Sequence, residues 1–263
     1  MQRNNARTTE LNLLRVPVPE NTDTYTAIPH REIIHSMKKT LSDCNLNIAG
    51  ESYFSNAKGT QATGTFAISM FGNPDFRYLI GWKNSYDRSL SFGIAMGVQI
   101  MVCSNGCVSG EFSLSRKHTG NALDLVHQFV EETVPKIGEI GNESVEFLQY
   151  LKTKECSLES ASRIAGQFFI QEDLINATQM SALKREIGFS KNFAFKEGQG
   201  DLYKLYNNFT EVLKMEPARD YLSSHVNIDK AFRNLTQWEK SKEFAEQTTA
   251  MVTNDHYSTL EKV

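Results

Sequence analysis

The feature that most constrains this chain is a change of hydrophobic period. Between Ile48 and Lys117 apolar and polar residues alternate, which places them on opposite sides of an extended chain. Before and after that stretch, apolar residues recur every three or four positions, as along one side of a helix. Turn-forming sequences cut the alternating stretch at Asn56-Ala57-Lys58-Gly59, Gly72-Asn73-Pro74, Asn84-Ser85-Tyr86-Asp87 and Asn105-Gly106. Five strands follow, over 48–55, 61–71, 76–83, 90–103 and 108–117, spaced closely enough for an antiparallel meander. Asn105-Gly106 is the dipeptide that a two-residue hairpin turn favours, and that turn sets Cys103 opposite Val108.

The two faces expected of this sheet differ in kind. One collects Phe66, Ile68, Ile80, Trp82, Phe92 and Ile94, and reads as core. The other collects Thr63, Arg77, Lys83, Gly93, Ala95 and Lys117, which are small, hydroxylic or basic. Glycine in mid-strand marks close approach by another backbone or by a ligand.

A helix over 29–46, begun by Pro29, precedes the strands. After Thr119, Leu123, Val126 and Val130 share a helical stripe that Pro135 interrupts. Further helices are predicted at 143–153, 158–172 (capped by Ser157), 176–187, 202–214 (capped by Asp201) and 228–247. The fold class is therefore α+β: one helix, a meander of about five strands, and a helical C-terminal half packed on the apolar face. Residues 1–24 are polar, contain Pro17 and Pro19, and read as a flexible arm. Residues 25–247 read as a single domain, with strands over 48–118 and helices over 120–247; residues 248–263 read as a frayed tail. The loop 189–200, with three phenylalanines, is either pinned by its rings or a partner site.

Charge excludes little by itself. The net charge is −3, but residues 47–119 carry 6 Lys and Arg against 4 Asp and Glu, while 120–263 carry 16 against 22. The strand region is mildly basic and the helical region acidic. Four cysteines in 263 residues do not make a disulfide framework, and no apolar run approaches the ~20 residues that span a bilayer. A reducing, cytoplasmic setting with no membrane partner is expected.

Chemistry-bearing patterns are sparse. Cys103 and Cys107 are four apart, with His118 downstream, but paired zinc spacing is absent and the hairpin puts the two thiols on opposite faces. No metal and no cofactor is expected. Gly59 and Gly64 have the spacing of a phosphate-binding loop without its Lys-Ser/Thr. Arg77, Lys83 and Lys117 on the polar sheet face are placed to meet DNA phosphates, although the sheet's aromatics fall on the core face, away from bases.

The run from Lys83 to Thr119 resembles the core of the phage/plasmid-like proteins, catalogued as domain of unknown function 932. That family shows an Asn-x-x-Asp-x-Ser turn, here Asn84, Asp87 and Ser89. An apolar strand into Cys-x-Asn follows, here Cys103 and Asn105 ahead of Gly106, and then a basic-His-Thr exit, here Lys117, His118 and Thr119. A C-terminal helix with Asn-x-x-Thr/Val-Glu is similar to Asn207, Thr210 and Glu211. Cys107 departs from the pattern, where an apolar residue is common. The resemblance implies residence in a phage, prophage or plasmid and a role around mobile DNA, with no catalytic residue attached. The function expected is a non-enzymatic, DNA-binding accessory protein that forms a homo-oligomer. The alternatives are an inhibitor of a host defence or repair protein, and an enzyme built near Cys103, Asn105, Lys117 and His118.

Overall fold

The computed structural model describes residues 5–69, 76–100, 105–116, 120–216 and 218–237. Its centre is a six-stranded antiparallel sheet in sequence order: β1 (Asn5–Thr8), β2 (Ile48–Asn56), β3 (Gln61–Ser69), β4 (Phe76–Ser85), β5 (Phe92–Ile100) and β6 (Asn105–Arg116). The five-strand meander is β2 to β6, and the class is α+β.

The sixth strand comes from the segment expected to be a flexible arm, which is a correction. Residues 5–8 pair with 53–56, and α1 (Glu10–Leu14) buries Leu13 in the core. Glu10 meets Lys38 at 2.7 Å, and Val16 packs over Gly59. Polar sequence hid this segment, because an edge strand satisfies its backbone without an apolar stripe. The expected tail 248–263 lies outside the described residues.

α2 (His30–Asp43) begins directly after Pro29, whose φ of −63° already suits a helix entrance. Its Ile33, Ile34, Met37 and Leu41 lie on the sheet's apolar face with Phe66, Ile80, Trp82 and Phe92. α3 (Ala122–Thr133) adds Val126 and Val130, and α4 (Ile137–Lys152) adds Ile137 and Ile140. Pro135 sits in a single 3-10 turn, Val134–Lys136, where the helical period was expected to break.

A second cluster holds the remaining helices: α5 (Leu158–Gly166), α6 (Ala177–Phe189), α7 (Leu202–Leu213) and α8 (Ala218–Thr236). Phe76 and Val98 tie it to the sheet. Ser157 and Asp201 accept from the backbone of Ser160 and Lys204, so both expected N-caps are present. A ribbon of β7 (Glu155–Ser157) and β8 (Gln199–Asp201) holds the 189–200 loop against α5 and α7, and Phe193 and Phe195 are buried. In this cluster Arg233 lies 2.8 Å from Asp229 and 3.1 Å from Glu143, a buried network that fastens α8 to α4.

The helical half is not confined to the apolar face. α8 was expected over 228–247 but begins ten residues earlier. Its early turns lie on the opposite face, where Leu222 and Val226 pack on Ala67, Leu79 and Ala95. Gly81 lies directly under Leu222: a Cβ there would come within 2.5 Å of a Leu222 methyl. The small residues of that face are the seat of a helix.

The hairpin between β5 and β6 also differs from expectation. Asn105 pairs with Ile100, Gly106 with Gln99 and Cys107 with Val98, so Asn105 and Gly106 belong to a strand and the connection falls in 101–104. An irregularity between Ala95 and Gly97 takes up the extra β6 residues. Val108 pairs with Gly97 rather than standing opposite Cys103 as expected.

Candidate functional site

Antiparallel order puts two of the connections, 57–60 and 86–91, at one end of the sheet together with the close of β6 at Arg116. The start of α2 is fastened to the same end. Asn84 does the fastening. It is fully buried, and its Nδ2 donates to the Ile28 carbonyl at 2.7 Å and to His30 Nδ1 at 2.9 Å. His30 Nε2 lies 3.0 Å from the Gly59 carbonyl, which only accepts. The imidazole is therefore the neutral Nε2–H tautomer, with Nδ1 left to accept from Asn84. His30 also stacks on Tyr86, centroids 4.1 Å apart, and its backbone N–H donates to the Tyr86 hydroxyl at 2.7 Å. One asparagine thus joins the turn before α2, the 57–60 turn and β4.

Asp87 organises the next turn. Its carboxylate accepts from Gln61 Nε2 at 2.8 Å and from the Ser89 backbone at 3.0 Å, and it also takes the Ser89 hydroxyl. Burial pushes its pKa up, but these hydrogen bonds outweigh burial and hold it below the usual carboxylate value. The Asn-x-x-Asp-x-Ser pattern is an architectural clamp. Arg88, between Asp87 and Ser89, has φ +65° and lays its guanidinium 4.6 Å over the Tyr25 ring.

Of the three cations expected to meet DNA phosphates, Arg77 and Lys83 are described and stand on one face of β4. Lys83 is half-buried beside α8, donating to Ser223 Oγ at 2.8 Å; burial lowers its pKa, against the pull of Asp220. Arg77 is six residues away along β4, about 20 Å of strand, paired with Ser69 and Gln99. Lys117, like His118, Thr119 and Cys103, lies outside the described residues. Among the described residues, the cations exposed at the clamped end are Lys58 and Arg88, with Arg31 in the first turn of α2.

The remaining family-pattern residues lie elsewhere. Asn207 and Thr210 are buried in α7: Asn207 donates to the Tyr203 carbonyl at 2.8 Å, and Thr210 to the Asn207 carbonyl at 3.0 Å. Asn84 and Phe76 stand at opposite ends of β4, about 26 Å apart, and the α7 cluster is at the Phe76 end. Asn105 and Gly106 open β6 and Arg116 closes it, about 35 Å of extended chain. Among the described residues no group of three His, Cys, Asp or Glu is placed to hold a metal ion. The buried Cys156 thiol is pushed up to about 11 by burial and by Asp201, away from nucleophilic use.

His30, Tyr25 and Tyr86 are the site residues that sequence reasoning missed. Their partners are distant backbone carbonyls and rings, which no local spacing announces.

Fold and site together define an α+β protein with helices on both faces of an antiparallel sheet and a clamped, basic rim at one end. A scan against family models and searches of curated proteins and of solved structures each find no match. No described helix is long and apolar enough to cross a membrane.

Proposed function

We propose that this chain is a non-enzymatic accessory protein of a phage or plasmid, working in the cytoplasm of a bacterial host, that associates with DNA as a homo-oligomer. The observation that supports it is the rim: Lys58 and Arg88 are exposed on adjacent connections that buried Asn84 and hydrogen-bonded Asp87 hold in place. Fixed cations lose little freedom when they meet phosphates. The nearby Asp87 carboxylate is already taken up by Gln61 and Ser89, which reduces its repulsion. The resemblance to the phage/plasmid-like proteins points the same way. Lys83 is set aside as a contact, because Ser223 and α8 occupy it.

Few cations per chain give weak binding, so useful affinity requires several chains on one DNA. Band-shift titrations at two salt concentrations, with light scattering on the same sample, test both halves. Lys58→Ala or Arg88→Ala is expected to weaken binding on every sequence and to lower the salt slope by about 1. Lys83→Ala is expected to leave the slope unchanged. A monomer with no shift at low salt would remove the DNA reading and favour an inhibitor of a host protein.

A further inference from the structure

Phe189 closes α6 and is 87% exposed, while Phe193 and Phe195, a few residues on in the same segment, are 7% and 9% exposed. The fold found room for two of the three rings and left the third in water. A single exposed ring means little; its surroundings give it meaning. Arg185 stands four residues before it, on the same flank of the helix, and Lys184 adjoins Arg185. Lys191 follows two residues later and Lys196 lies further along the loop, all four exposed. None of the four makes an ion pair with a described residue. One carboxylate, Glu186, falls between them in sequence, and Glu197 follows directly after Lys196. In a half of the chain that is acidic overall, this is a local concentration of cations around an exposed aromatic face.

We infer that Phe189 and its flanking cations form a docking surface for single-stranded nucleic acid, with DNA as the natural occupant. The inference rests on the proposed DNA association and narrows it to a strand whose bases are unstacked. The ring offers a face on which any unstacked base stacks, and Arg185, Lys184 and Lys191 meet phosphates on either side. A duplex keeps its bases stacked on each other and has no use for the ring. Anionic lipid also carries negative charge, but one ring and no amphipathic apolar stripe give it little to bury. The 189–200 loop thus serves both purposes considered for it: Phe193 and Phe195 pin it, and Phe189 is left to the partner.

The test is fluorescence anisotropy with a short oligothymidylate and with a duplex of mixed sequence, at low and at moderate salt. Phe189→Ala is expected to weaken oligothymidylate binding about fivefold or more and to leave duplex binding and melting temperature unchanged. Phe189→Trp should restore binding, with the introduced indole quenched on adding the oligonucleotide. Unchanged oligothymidylate binding by Phe189→Ala would overturn the inference. The rim reading would then still stand if Lys58→Ala or Arg88→Ala weakened binding. No binding of either DNA by the native protein would remove both. Vesicles of phosphatidylglycerol and phosphatidylcholine, and sedimentation of Phe189→Ala, separate the other occupants. Loss of vesicle binding without loss of DNA binding would make the patch a lipid site, and a changed oligomeric state would make it a self-contact; either would overturn the inference.

Discussion

The two faces of the sheet are covered by different physics. On one, Trp82, Phe66 and Phe92 meet helices α2, α3 and α4 through large interlocking side chains. On the other, Ala67, Gly81 and Ala95 lie so low that α8 comes down onto the strands, and among the described residues Leu222 and Val226 fill the gap. Burying two such side chains contributes about 1.5–3 kcal/mol each, so among the described residues the second interface is the thinner one. The lesson is that a strand face of small residues is not thereby a solvent face. Its smallness is the imprint of a neighbour.

The largest expected difference lies in deleting side chains. Trp82→Ala should cost about 3–5 kcal/mol in denaturant unfolding, because it empties the centre of the thick interface. Leu222→Ala should cost less, about 2–3 kcal/mol, because a sparse contact leaves a cavity that can collapse. Equal losses would erase the contrast between the faces. Next comes the clamp at the end of the apolar face. Asn84→Ala strands the Ile28 carbonyl and His30 Nδ1 in a buried place, and should cost about 1–3 kcal/mol. An unchanged melting temperature would mean that water reaches both groups.

Glycine substitution separates the faces further. A Cβ on Gly64 would meet the rigid Trp82 indole at 2.4 Å, whereas one on Gly81 meets the far end of Leu222 at 2.5 Å. Gly64→Ala is expected to cost about 1–3 kcal/mol, and Gly81→Ala less than about 1 kcal/mol, since a leucine methyl rotates away. The reverse order would show the second interface to be the tighter.

How much of this was legible follows from the same contrast. Alternation set the meander, because a period of two with turn residues between runs has few other solutions. Pro29, Ser157 and Asp201 marked helix starts, because capping is local chemistry. The glycines and alanines of the second face announced a close neighbour without naming it. The helix that sits there was read as beginning at 228, and the missed turns are those carrying Leu222 and Val226. The Asn105-Gly106 pair was misread as a turn because both residues lie in β6, paired with Ile100 and Gln99, and nothing near Asn105 encodes that register. In the site, Asn84 and Asp87 were visible as a pattern, while His30 and Tyr86 depend on contacts more than fifty residues away in sequence.

The smallest effect concerns Lys83. Burial lowers its pKa in the fold, so between that value and about 10.5 the unfolded chain binds more protons, and stability rises with pH. Lys83→Met should flatten that rise while changing neutral-pH stability little. A rise that persists in the variant would place its source elsewhere.

Whether α8 really covers the second face can be read by hydroxyl-radical footprinting with mass spectrometry. Phe54 and Leu79 lie on that same face, Phe54 38% exposed beyond the helix and Leu79 5% exposed beneath it. Phe54 should be oxidised readily, while Leu79 and Leu222 stay protected until the protein is unfolded. Leu79 modified in the folded protein as fast as in the unfolded chain would show the face open to solvent, and would return it to contention as a binding surface.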